Sequence, residues 1–593
     1  MRPRSARTRT AAVAVVFGVL VSGLTTGSAP GAAAPATAVQ PAAAKPAAVK
    51  ATAGLPGGLA VPAALTTQRL AWSPCYATPH PFLPPTAERL ECTTVTVPLD
   101  WRRAADGRTI RIAVSRLRPA TGTARGLLMT NPGGPGGAGV YLPAVLGERP
   151  AVAAAYDIIG IDVRGTGRST SLTCGSQSLS GNDPRDRSRA NLRLIAETDD
   201  LYARYCAFHG GALLPVVNTE QTVRDLDLIR HVLGAPRTSW VGYSGGSWLG
   251  AHYATAFPHR VDRFVLDSNP EFTTTWQESF AWQPLGFERR FRQDFATWAA
   301  RHNDRLRLGA TAQQVRGFYE RLRADLRVPV DVPLIEDFVV LSYGSGDVDM
   351  LIAQAMYSKF NFFDLAQTLR DLRDRADARA AGRQARGTVP LSAGARRLLT
   401  KATGAGKSGP RPVAADSPTA TFHAVICNDT PWGSRADIVR ESARQGARYP
   451  LIGWWTVSNP CVTWKRPSVT LPRPTGRGVP PVLMVQSERD AATPIEGAVR
   501  AHARFAGSRM VTVTAEGDHG LYGGDNMCLN QRVDSFLLTG ELPRQDVTCA
   551  GVGIPAPPDP EQARTMSRPD AKPTNPLLRS QWYADAANGR TGP

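Results

Sequence analysis

The sequence predicts an α/β fold in which helices cover both faces of a mostly parallel β-sheet. Short, nearly continuous apolar segments alternate with helical ones along the chain, as expected for strands that are buried on both sides. Polar residues with catalytic chemistry follow several of these segments, and parallel sheets bind ligands at the carboxyl ends of their strands. Hydrophobic residues make up 42% of the 593 residues, which is enough for a packed core.

The first 65 residues are predicted to be an export segment followed by a leader. Arginines at the start precede an apolar stretch at 11–24, which is typical of a secretory signal and shorter than a membrane span requires. We assign residues 1–36 to a signal peptide. Residues 37–65 are rich in alanine and proline, and we expect them to be a disordered leader or pro-segment.

Residues 66–270 are predicted to form the first part of the sheet domain. Segments 92–99 and 109–117 flank an Asp-Gly turn and predict a hairpin. Residues 219–233 have one apolar face and predict a helix that Thr219 caps and Gly234 ends. Further strands are expected at 126–130, 157–163, 238–243 and 261–267.

Residues 271–474 break this alternation and are predicted to be a mainly helical cap inserted between two strands. Aromatic residues recur near helical spacing in its first half, and we expect most to pack in a core and a few to line a cleft. Residues 403–418 are predicted to be a flexible connection. The sheet is expected to resume within 475–550, with strands at 482–485 and 510–513. Residues 551–593 are assigned to a C-terminal extension.

Residues 242–246, Gly-Tyr-Ser-Gly-Gly, match the pattern G-x-S-x-G between a predicted strand and a predicted helix. In that setting the pattern predicts a nucleophile elbow, which presents Ser244 above the sheet and requires glycines for steric reasons. A glycine-rich loop that matches by chance remains open for the motif alone. The elbow, with the strands described above, predicts an α/β-hydrolase fold with an eight-stranded, mostly parallel sheet.

Two later residues complete a candidate catalytic triad with Ser244. Asp490 follows the strand at 482–485, and His519 follows the strand at 510–513 between two glycines. This gives the chain order Ser, Asp, His that α/β-hydrolases use. In such a triad the histidine removes the proton of the serine hydroxyl, and the carboxylate orients the histidine.

Two neighbouring acids compete with Asp490 for the role of orienting carboxylate. Glu488 lies further from the loop, and Asp518 is adjacent to the histidine and therefore poorly placed to bind its ring. A surface-loop histidine and a helix-capping aspartate are the non-catalytic interpretations of His519 and Asp490 taken singly. Their order and their positions at strand ends favour the triad. The remaining histidines are expected to be structural.

The glycine-rich segment 133–137 follows a predicted strand and is expected to bind the oxyanion of an acyl-transfer reaction. We assign the backbone N–H groups of Gly134 and Gly245 to this role, because Pro135 has no N–H to donate. A phosphate-binding loop would need a following Gly-Lys-Ser/Thr, which is missing. A dinucleotide-binding loop would need a helix and a ribose-binding acid, which are also missing.

Eight cysteines fit export into an oxidising environment. Connectivity is open from sequence alone, and we expect nearest-neighbour pairs. The expected pairs are Cys75–Cys92, Cys174–Cys206, Cys427–Cys461 and Cys528–Cys549. Their spacing is not that of a metal site, and we expect neither a metal nor another cofactor.

The net charge of +19 is spread along the chain, and only seven of the 69 basic residues are lysine. Without a concentrated basic patch that includes aromatic residues, nucleic-acid binding is not expected. The sequence has no cysteine before Cys75, so we expect no lipid anchor and no stable attachment to a membrane.

Several motifs together resemble the proline iminopeptidase branch of the α/β-hydrolases. They are Gly-Gly-Pro-Gly at 133–136, Asp-Val-Arg-Gly-Thr-Gly-Arg-Ser at 162–169, the elbow, and the late Asp490 and His519. The long insertion, the export signal and the cysteines near the C-terminus are similar to those of secreted tripeptidyl aminopeptidases. The resemblance covers about residues 75–549. One position departs from it, because Pro132 stands where the family usually has a histidine.

The resemblance implies a secreted serine exopeptidase, and we expect it to be a monomer. Such an enzyme acts on peptide or protein N-termini and releases short peptides, of three residues in these relatives, through an acyl-enzyme. It also implies that carboxylates of the cap bind the substrate amine. Glu271, Glu278 and Glu288 are candidates, and solvated glutamates on helix surfaces are an equally open interpretation. Asp162 and Arg164 are expected to hold a loop together.

Two other functions remain open on the sequence alone. A secreted carboxylesterase or lipase could use the same triad, since the fold does not determine the acyl substrate. A lipase would more naturally have a long apolar lid, whereas this insertion is rich in arginine and acidic residues. A non-catalytic, hydrolase-like binding protein is disfavoured by the intact Ser, Asp and His set.

Overall fold

The computed structural model describes residues 61–76, 85–175, 182–335, 339–382, 391–403, 414 and 416–559. The predicted signal peptide, most of the predicted leader and most of the predicted flexible connection lie outside these residues. Residues 560–593 of the predicted extension are also outside them. Leu65, at the end of the predicted leader, is buried in the core within a short helix, so the folded part begins before residue 66.

The described part of the chain contains twelve strands, ten of which form one sheet. The strands are β1 Ser73–Pro74, β2 Glu91–Pro98, β3 Thr109–Leu117, β4 Gly126–Asn131, β5 Tyr156–Ile161, β6 Thr238–Tyr243, β7 Val261–Asp267, β8 Val330–Ile335, β9 Val339–Tyr343, β10 Val482–Ser487, β11 Ser508–Thr514 and β12 Val547–Ala550. The sheet order is β1-β2-β3-β5-β4-β6-β7-β10-β11-β12, and β8 and β9 form a separate antiparallel pair. All pairings from β5 to β12 in that order are parallel, which confirms a mostly parallel sheet.

The predicted number of eight strands is wrong, because one short strand is added at each edge of the sheet. At one edge β1 pairs antiparallel with β2, and the Cys75–Cys92 disulfide joins this region to β2. At the other edge β12 pairs parallel with β11, and the Cys528–Cys549 disulfide ties it to the preceding helix. Both edge strands, of two and four residues, are too short to give an apolar run that the sequence could reveal.

Helices cover the sheet and build most of the insertion. In the described residues they are α1 Ala63–Thr66, α2 Pro85–Glu88, α3 Leu142–Leu146, α4 Pro150–Ala155, α5 Arg189–Gly210, α6 Thr219–Val232, α7 Gly245–Ala256, α8 Trp276–Phe280, α9 Gln283–Arg290, α10 Ala296–Arg301, α11 Asn303–Leu306, α12 Ala312–Asp325, α13 Ser345–Ala355, α14 Phe362–Ala380, α15 Ala393–Thr403, α16 Ser417–Asp429, α17 Arg435–Arg448, α18 Ile495–Arg504 and α19 Met527–Thr539. A π-helical turn, Phe291–Phe295, joins α9 to α10. None of these helices is long and apolar enough to cross a membrane.

Most predicted elements occur with boundaries shifted by one or two residues. The predicted helix at 219–233 is α6, but Thr219 is not its cap. Asn218 has an extended backbone, and its side chain accepts the N–H of Gln221. The hydroxyl and the N–H of Thr219 instead donate to Asp429, so Thr219 makes a tertiary contact and does not cap the helix.

Alternate side chains of each central strand pack into cores on opposite faces of the sheet. In β10, Val482 and Met484 belong to one apolar cluster, while Leu483 and Val485 belong to another. A third cluster is built mostly by residues 271–474, which we call the cap, and it includes Phe287, Phe291 and Phe295. The four disulfides join the expected nearest-neighbour pairs.

Candidate active site

Ser244 lies at the turn between β6 and α7, where the sequence predicts a nucleophile elbow. Its backbone has φ 55° and ψ −123°, a conformation that residues other than glycine rarely adopt. Its N–H donates to the backbone oxygen of Asp267 at the end of the neighbouring strand, at 2.9 Å. Ser244 is also the first residue before α7, so the unpaired N–H groups of that helix favour negative charge beside it.

The glycines of the elbow are required by backbone packing. A Cβ atom on Gly242 would lie 2.3 Å from the backbone oxygen of Gly246. One on Gly246 would lie 2.5 Å from the backbone oxygen of Asn131. Both distances are shorter than Cβ atoms tolerate, so the G-x-S-x-G pattern here has a steric cause.

The glycine-rich loop after β4 packs directly against the elbow. A Cβ atom on Gly133 would lie 2.6 Å from the amide nitrogen of Gly245, and Asn131 Oδ1 accepts the Gly133 N–H at 2.9 Å. Gly134 and Gly245 line the same cleft as Ser244. Within the described residues, neither of these two N–H groups has a protein acceptor. Both are therefore available to an oxygen atom in the cleft.

His519 and Asp490 form a buried pair at the carboxyl ends of β11 and β10. The Nδ1 atom of His519 is 3.0 Å from both carboxylate oxygens, and the two side chains are 2% and 0% exposed. Asp490 Oδ1 also accepts the N–H groups of Ala492 and Thr493, each at 2.9 Å. These bonds fix the carboxylate, and an imidazole that binds its acid through Nδ1 has Nε2 for proton transfer.

Two residues that contact this pair also line the cleft of Ser244. Thr493 Oγ1 lies 3.3 Å from His519 Nδ1, and the Tyr357 ring lies edge-on to the imidazole, with 5.2 Å between centroids. Both residues line the cleft that Ser244 lines. Ser244 therefore shares a cleft with two residues that contact the buried acid–histidine pair.

The two competing acids lie elsewhere. The side chain of Glu488 is 46% exposed and accepts the N–H of Ala515 at 2.6 Å. Asp518 is buried but binds Arg290 and the backbone of Lys359, which are residues of the cap. Of the three carboxylates that the sequence offers, Asp490 is the one that holds the His519 ring, with both of its oxygens 3.0 Å from Nδ1.

A second acid at the site, Asp267, was missed by sequence reasoning. Its Oδ2 accepts the N–H groups of Leu521 and Tyr522 at 3.0 and 2.7 Å. The hydroxyl of Ser268 donates to Asp267 at 3.0 Å and accepts the N–H of Gly520 at 2.8 Å. Burial raises the pKa of Asp267 to about 6. Its position at the end of β7 was the one signal in the sequence.

The structure separates the three candidate glutamates of the cap. Glu271 is 4% exposed and lines the cleft. Glu278 caps the first turn of α8 through Thr275. Glu288 is buried but pairs with Arg292 and Arg316, at 2.5 and 2.6 Å. Glu271 is therefore the one of the three that can reach a ligand beside Ser244.

The predicted structural roles of Asp162 and Arg164 agree with their contacts. Asp162 accepts the N–H groups of Gly139 and Val140 at 2.8 and 3.0 Å, which holds the loop that follows the glycine-rich segment. Arg164 forms a buried bidentate pair with Asp225, at 2.7 and 2.6 Å. Both residues support the loops around the site from outside the cleft.

Aromatic side chains of the cap dominate the rest of the cleft wall. Those that line it are Trp276, Phe280, Trp282, Phe287 and Phe422. A wall of this kind excludes water and packs against apolar groups of a ligand. Two further histidines, His252 and His423, are buried away from this constellation, and burial lowers the pKa of each to about 4.

Two protein families match the two segments of the chain that carry the candidate site residues. The family described as "alpha/beta hydrolase fold" matches residues 126–320, which include Ser244 and the glycine-rich loop. The family described as "TAP-like protein" matches residues 449–549, which include Asp490 and His519.

Curated relatives align with most of the chain. A tripeptidyl aminopeptidase of Streptomyces lividans is 34% identical over 524 residues, covering 84% of this chain and 90% of that protein. The serine protease Hip1 of Mycobacterium tuberculosis is 29% identical over 511 residues, covering 81% and 91%. A carboxylesterase B of Mycobacterium tuberculosis is 28% identical over 522 residues, covering 84% and 93%.

Proposed function

The chain belongs to the tripeptidyl aminopeptidase family of α/β-hydrolases and is a serine hydrolase of the aminopeptidase type, and from this premise we propose its reaction. It is a secreted exopeptidase that releases short N-terminal peptides, mainly tripeptides, through an acyl-enzyme. The observation that carries the proposal is the Asp490–His519 pair beside a cleft that Ser244, Gly134 and Gly245 share.

The first half-reaction forms the acyl-enzyme. His519 Nε2 accepts the proton of the Ser244 hydroxyl as its oxygen attacks the carbonyl carbon of the scissile peptide bond. Asp490 stabilises the imidazolium that forms. The N–H groups of Gly134 and Gly245 donate to the carbonyl oxygen as it gains negative charge. His519 then gives the proton to the departing amine, and the C–N bond breaks.

The second half-reaction releases the short peptide. His519 accepts a proton from water as the water oxygen attacks the ester carbonyl carbon, and the same two N–H groups bind the new oxyanion. The bond to the Ser244 oxygen breaks, and the imidazolium returns the proton to that oxygen. The products are a free short peptide and the unmodified enzyme.

Glu271 and Asn269 support a binding site for the substrate amine. Glu271 accepts hydrogen bonds from Trp282 Nε1 at 3.0 Å and from the half-exposed Arg504 at 2.9 Å, which leaves further lone pairs on its carboxylate. Asn269 donates through Nδ2 to two backbone carbonyls, and its Oδ1 has no donor within the described residues. An ammonium group needs acceptors of this kind, and both residues line the cleft.

Export is supported by the N-terminal sequence and by the four disulfides. An arginine-containing start followed by a short apolar stretch is typical of a secretory signal. Disulfides persist outside the cytosol, where thiols are not kept reduced. We propose residues 1–36 as the signal peptide and a monomer as the secreted form.

Hydrolysis of a free tripeptide chromogenic substrate, its N-acetylated form and a short-chain ester tests the proposed function. We expect kcat/KM to be about 10²-fold higher for the free amine, because a lost hydrogen bond to a charged group costs ~1.5–3 kcal/mol. The Ser244→Ala variant should lose activity by several orders of magnitude while remaining folded. Equal turnover of the acetylated peptide would contradict the requirement for a free amino terminus.

The Glu271→Gln variant tests the amine site, with Glu278→Gln as a matched control. We expect the first to raise KM for the free tripeptide about tenfold or more and to reduce the preference over the acetylated peptide. The second keeps a side chain that can cap α8, and it should leave both parameters unchanged. Equal effects of the two variants, or none from either, would remove Glu271 from the site.

A secreted carboxylesterase is the second candidate function, favoured by the relative named carboxylesterase B. It would use the same serine, acid and histidine, since the acyl substrate is decided by the cleft and not by the triad. Hydrolysis of the ester with no measurable cleavage of either tripeptide would support it. Loss of that ester activity in Ser244→Ala would show that both functions use one site.

A further inference from the structure

A cluster of six charged residues joins the cap to the two loops that carry Asp490 and His519. The cap contributes Arg290, Asp294 and Lys359, and the sheet domain contributes Arg489, Glu516 and Asp518. Five of the six side chains are at most 7% exposed, and Arg489 is 22% exposed. Three cations face three carboxylates, so the charges of the cluster balance.

Asp518, the residue before His519, receives three hydrogen bonds from the cap. Its Oδ1 lies 2.5 Å from Arg290 Nη2 and accepts the backbone N–H of Lys359 at 2.7 Å. Its Oδ2 accepts the hydroxyl hydrogen of Ser358 at 3.2 Å. Arg290 lies so close that a Cβ atom on Gly517 would be 2.0 Å from its Nη1. The histidine loop is thus tied to the cap directly before His519.

Arg489, the residue before Asp490, belongs to the same cluster. Its side chain lies 2.9 Å from Asp294, and its N–H donates to the backbone oxygen of Glu516 at 2.8 Å. Glu516 in turn binds Lys359 Nζ at 2.7 Å, and its other oxygen accepts the N–H of Asp518 at 3.1 Å. One network therefore reaches both members of the buried acid–histidine pair through the residue that precedes each.

His519 itself is held from two sides. Tyr357 of the cap accepts its backbone N–H at 3.0 Å, and the Tyr357 ring packs against the imidazole. On the other side, Asp267 and Ser268 accept the N–H groups of residues 520–522. The sheet domain thus holds the chain after the histidine and, through the Ser487 hydroxyl, the backbone oxygen of Asp518. The cap holds the Asp518 side chain and the N–H of His519.

We propose that the cap segment Tyr357, Ser358 and Lys359 sets the position of His519, and that Asp518 is the positioning residue through which it acts. A buried charge that loses its partner is strongly unfavourable, so the cluster tolerates few other arrangements. A misplacement of about 1 Å at a reacting group can cost about 10² in rate. Displacement of the cap would therefore slow proton transfer at Ser244 even when the substrate still binds. This inference rests on the proposed triad.

Covalent labelling of Ser244 by a small fluorophosphonate measures this effect without a peptide substrate. The reagent phosphonylates the serine oxygen with loss of fluoride, and its rate depends on the histidine that activates the hydroxyl. The variants are Asp518→Asn and the milder Ser358→Ala, in the full-length protein. Tripeptide kcat and KM and the melting temperature are measured in parallel.

Two cap variants away from the histidine loop serve as matched controls. Ser345→Ala removes another buried hydroxyl, which donates to the backbone oxygen of Arg323 at 2.7 Å. Arg323→Met removes another buried ion pair, with Asp349 at 3.0 Å. The first matches Ser358→Ala in the group removed, and the second matches Asp518→Asn in the loss of a buried charge interaction.

We expect Asp518→Asn to lower the labelling rate and kcat by about 10- to 100-fold with KM changed less than about threefold. Ser358→Ala should lower both rates by a smaller factor, and Ser345→Ala should change neither. Arg323→Met should lower the melting temperature without lowering the labelling rate at 25 °C.

Equal labelling of the wild type, Asp518→Asn and Ser358→Ala would overturn the inference about the cap. A decrease that Arg323→Met reproduces would also overturn it, because the effect would then be general destabilisation. A wild-type protein that is not labelled at Ser244 would instead contradict the proposed triad. Labelling without tripeptide hydrolysis would contradict the proposed substrate. The labelling rates of the variants would then still decide whether the cap positions His519.

Discussion

Single residues around Ser244 and His519 are selected by close packing and by the cost of burying charge. Gly242, Gly246 and Gly133 stand where a Cβ atom would meet backbone at 2.2 to 2.5 Å. Asp267 illustrates the cost of burying charge. It is 0% exposed and holds the loop after His519, although burial raises the pKa of its carboxyl to about 6. The ionised form is thus less stable in the folded protein than in water.

The pH dependence of stability should reveal this cost in an Asp267→Asn variant. The folded-state pKa of Asp267 is raised by burial to about 6, against 3.8 in the unfolded chain. Its contribution to stability is therefore full below pH 4 and is lost as the pH rises through 6. In urea unfolding, the free energy of the wild type minus that of the variant should fall by about 2 kcal/mol between pH 4 and pH 7.

Asp347→Asn applies the same measurement to a buried acid of the cap, away from His519. Burial raises the pKa of Asp347 to about 7, and this residue binds the N–H of Gly344 in the cap. Its removal should change the pH dependence of stability in the same direction but leave the labelling rate of Ser244 unchanged. Free energies of the wild type and Asp267→Asn that run parallel across pH 4–7 would contradict the predicted protonation of Asp267.

Helix α9 is the element that brings the cap against the loop of Asp490. A Cβ atom on Gly286, in the middle of α9, would lie 2.5 Å from the backbone oxygen of Ala491 and 3.0 Å from that of Asp490. Gln283, one turn earlier, donates to the backbone oxygen of Ala492 at 3.0 Å. Glycine weakens a helix, so its place here is explained by the close approach of the two segments.

Replacement of this glycine should separate packing from helix propensity. Gly286→Ala favours the helix by up to about 1 kcal/mol, yet its methyl group has no room beside Ala491. We expect a lower melting temperature and a lower labelling rate of Ser244. Gly317→Ala in α12 is the matched control, because its Cβ would meet a flexible arginine side chain alone, at 3.2 Å. It should be neutral or stabilising, and a similar gain in Gly286→Ala would contradict the close contact.

Across the whole molecule, the cap and the sheet domain share packing as well as charge. The apolar cluster of the cap includes Ala491 and Ala492 from the loop after β10. The chain after β12 returns to the cap, where the backbone oxygens of Val552 and Pro555 accept hydrogen bonds from Lys359 and Trp298, each at 2.8 Å. These contacts predict that the two parts unfold together.

Calorimetry of the secreted protein and of Arg323→Met tests this cooperativity. We expect one transition in both, with a lower midpoint in the variant, because a buried ion pair inside the cap is broken. Labelling of Ser244 should be lost in the same temperature range. Two separate transitions, with Arg323→Met shifting the first and labelling following the second, would show that the cap unfolds independently.

Local sequence determined the features that depend on neighbours in the chain. The strands around Ser244, the elbow with its glycines, and the acid and histidine at the ends of late strands could all be predicted. Each depends on a short pattern of apolar, glycine or catalytic residues. The edge strands β1 and β12 could not, because pairing and disulfides define them and no apolar run marks them.

Only the tertiary structure decided which distant groups act on one another. Asp267, Tyr357 and Asp518 carry no motif, yet all three contact His519 or its loop. It also separated Glu271, which lines the cleft, from the two other candidate glutamates. The physical reason is that an acid's role depends on burial and on its partners, which fold together from segments as far apart as 290, 359 and 518. Sequence spacing does not encode those distances.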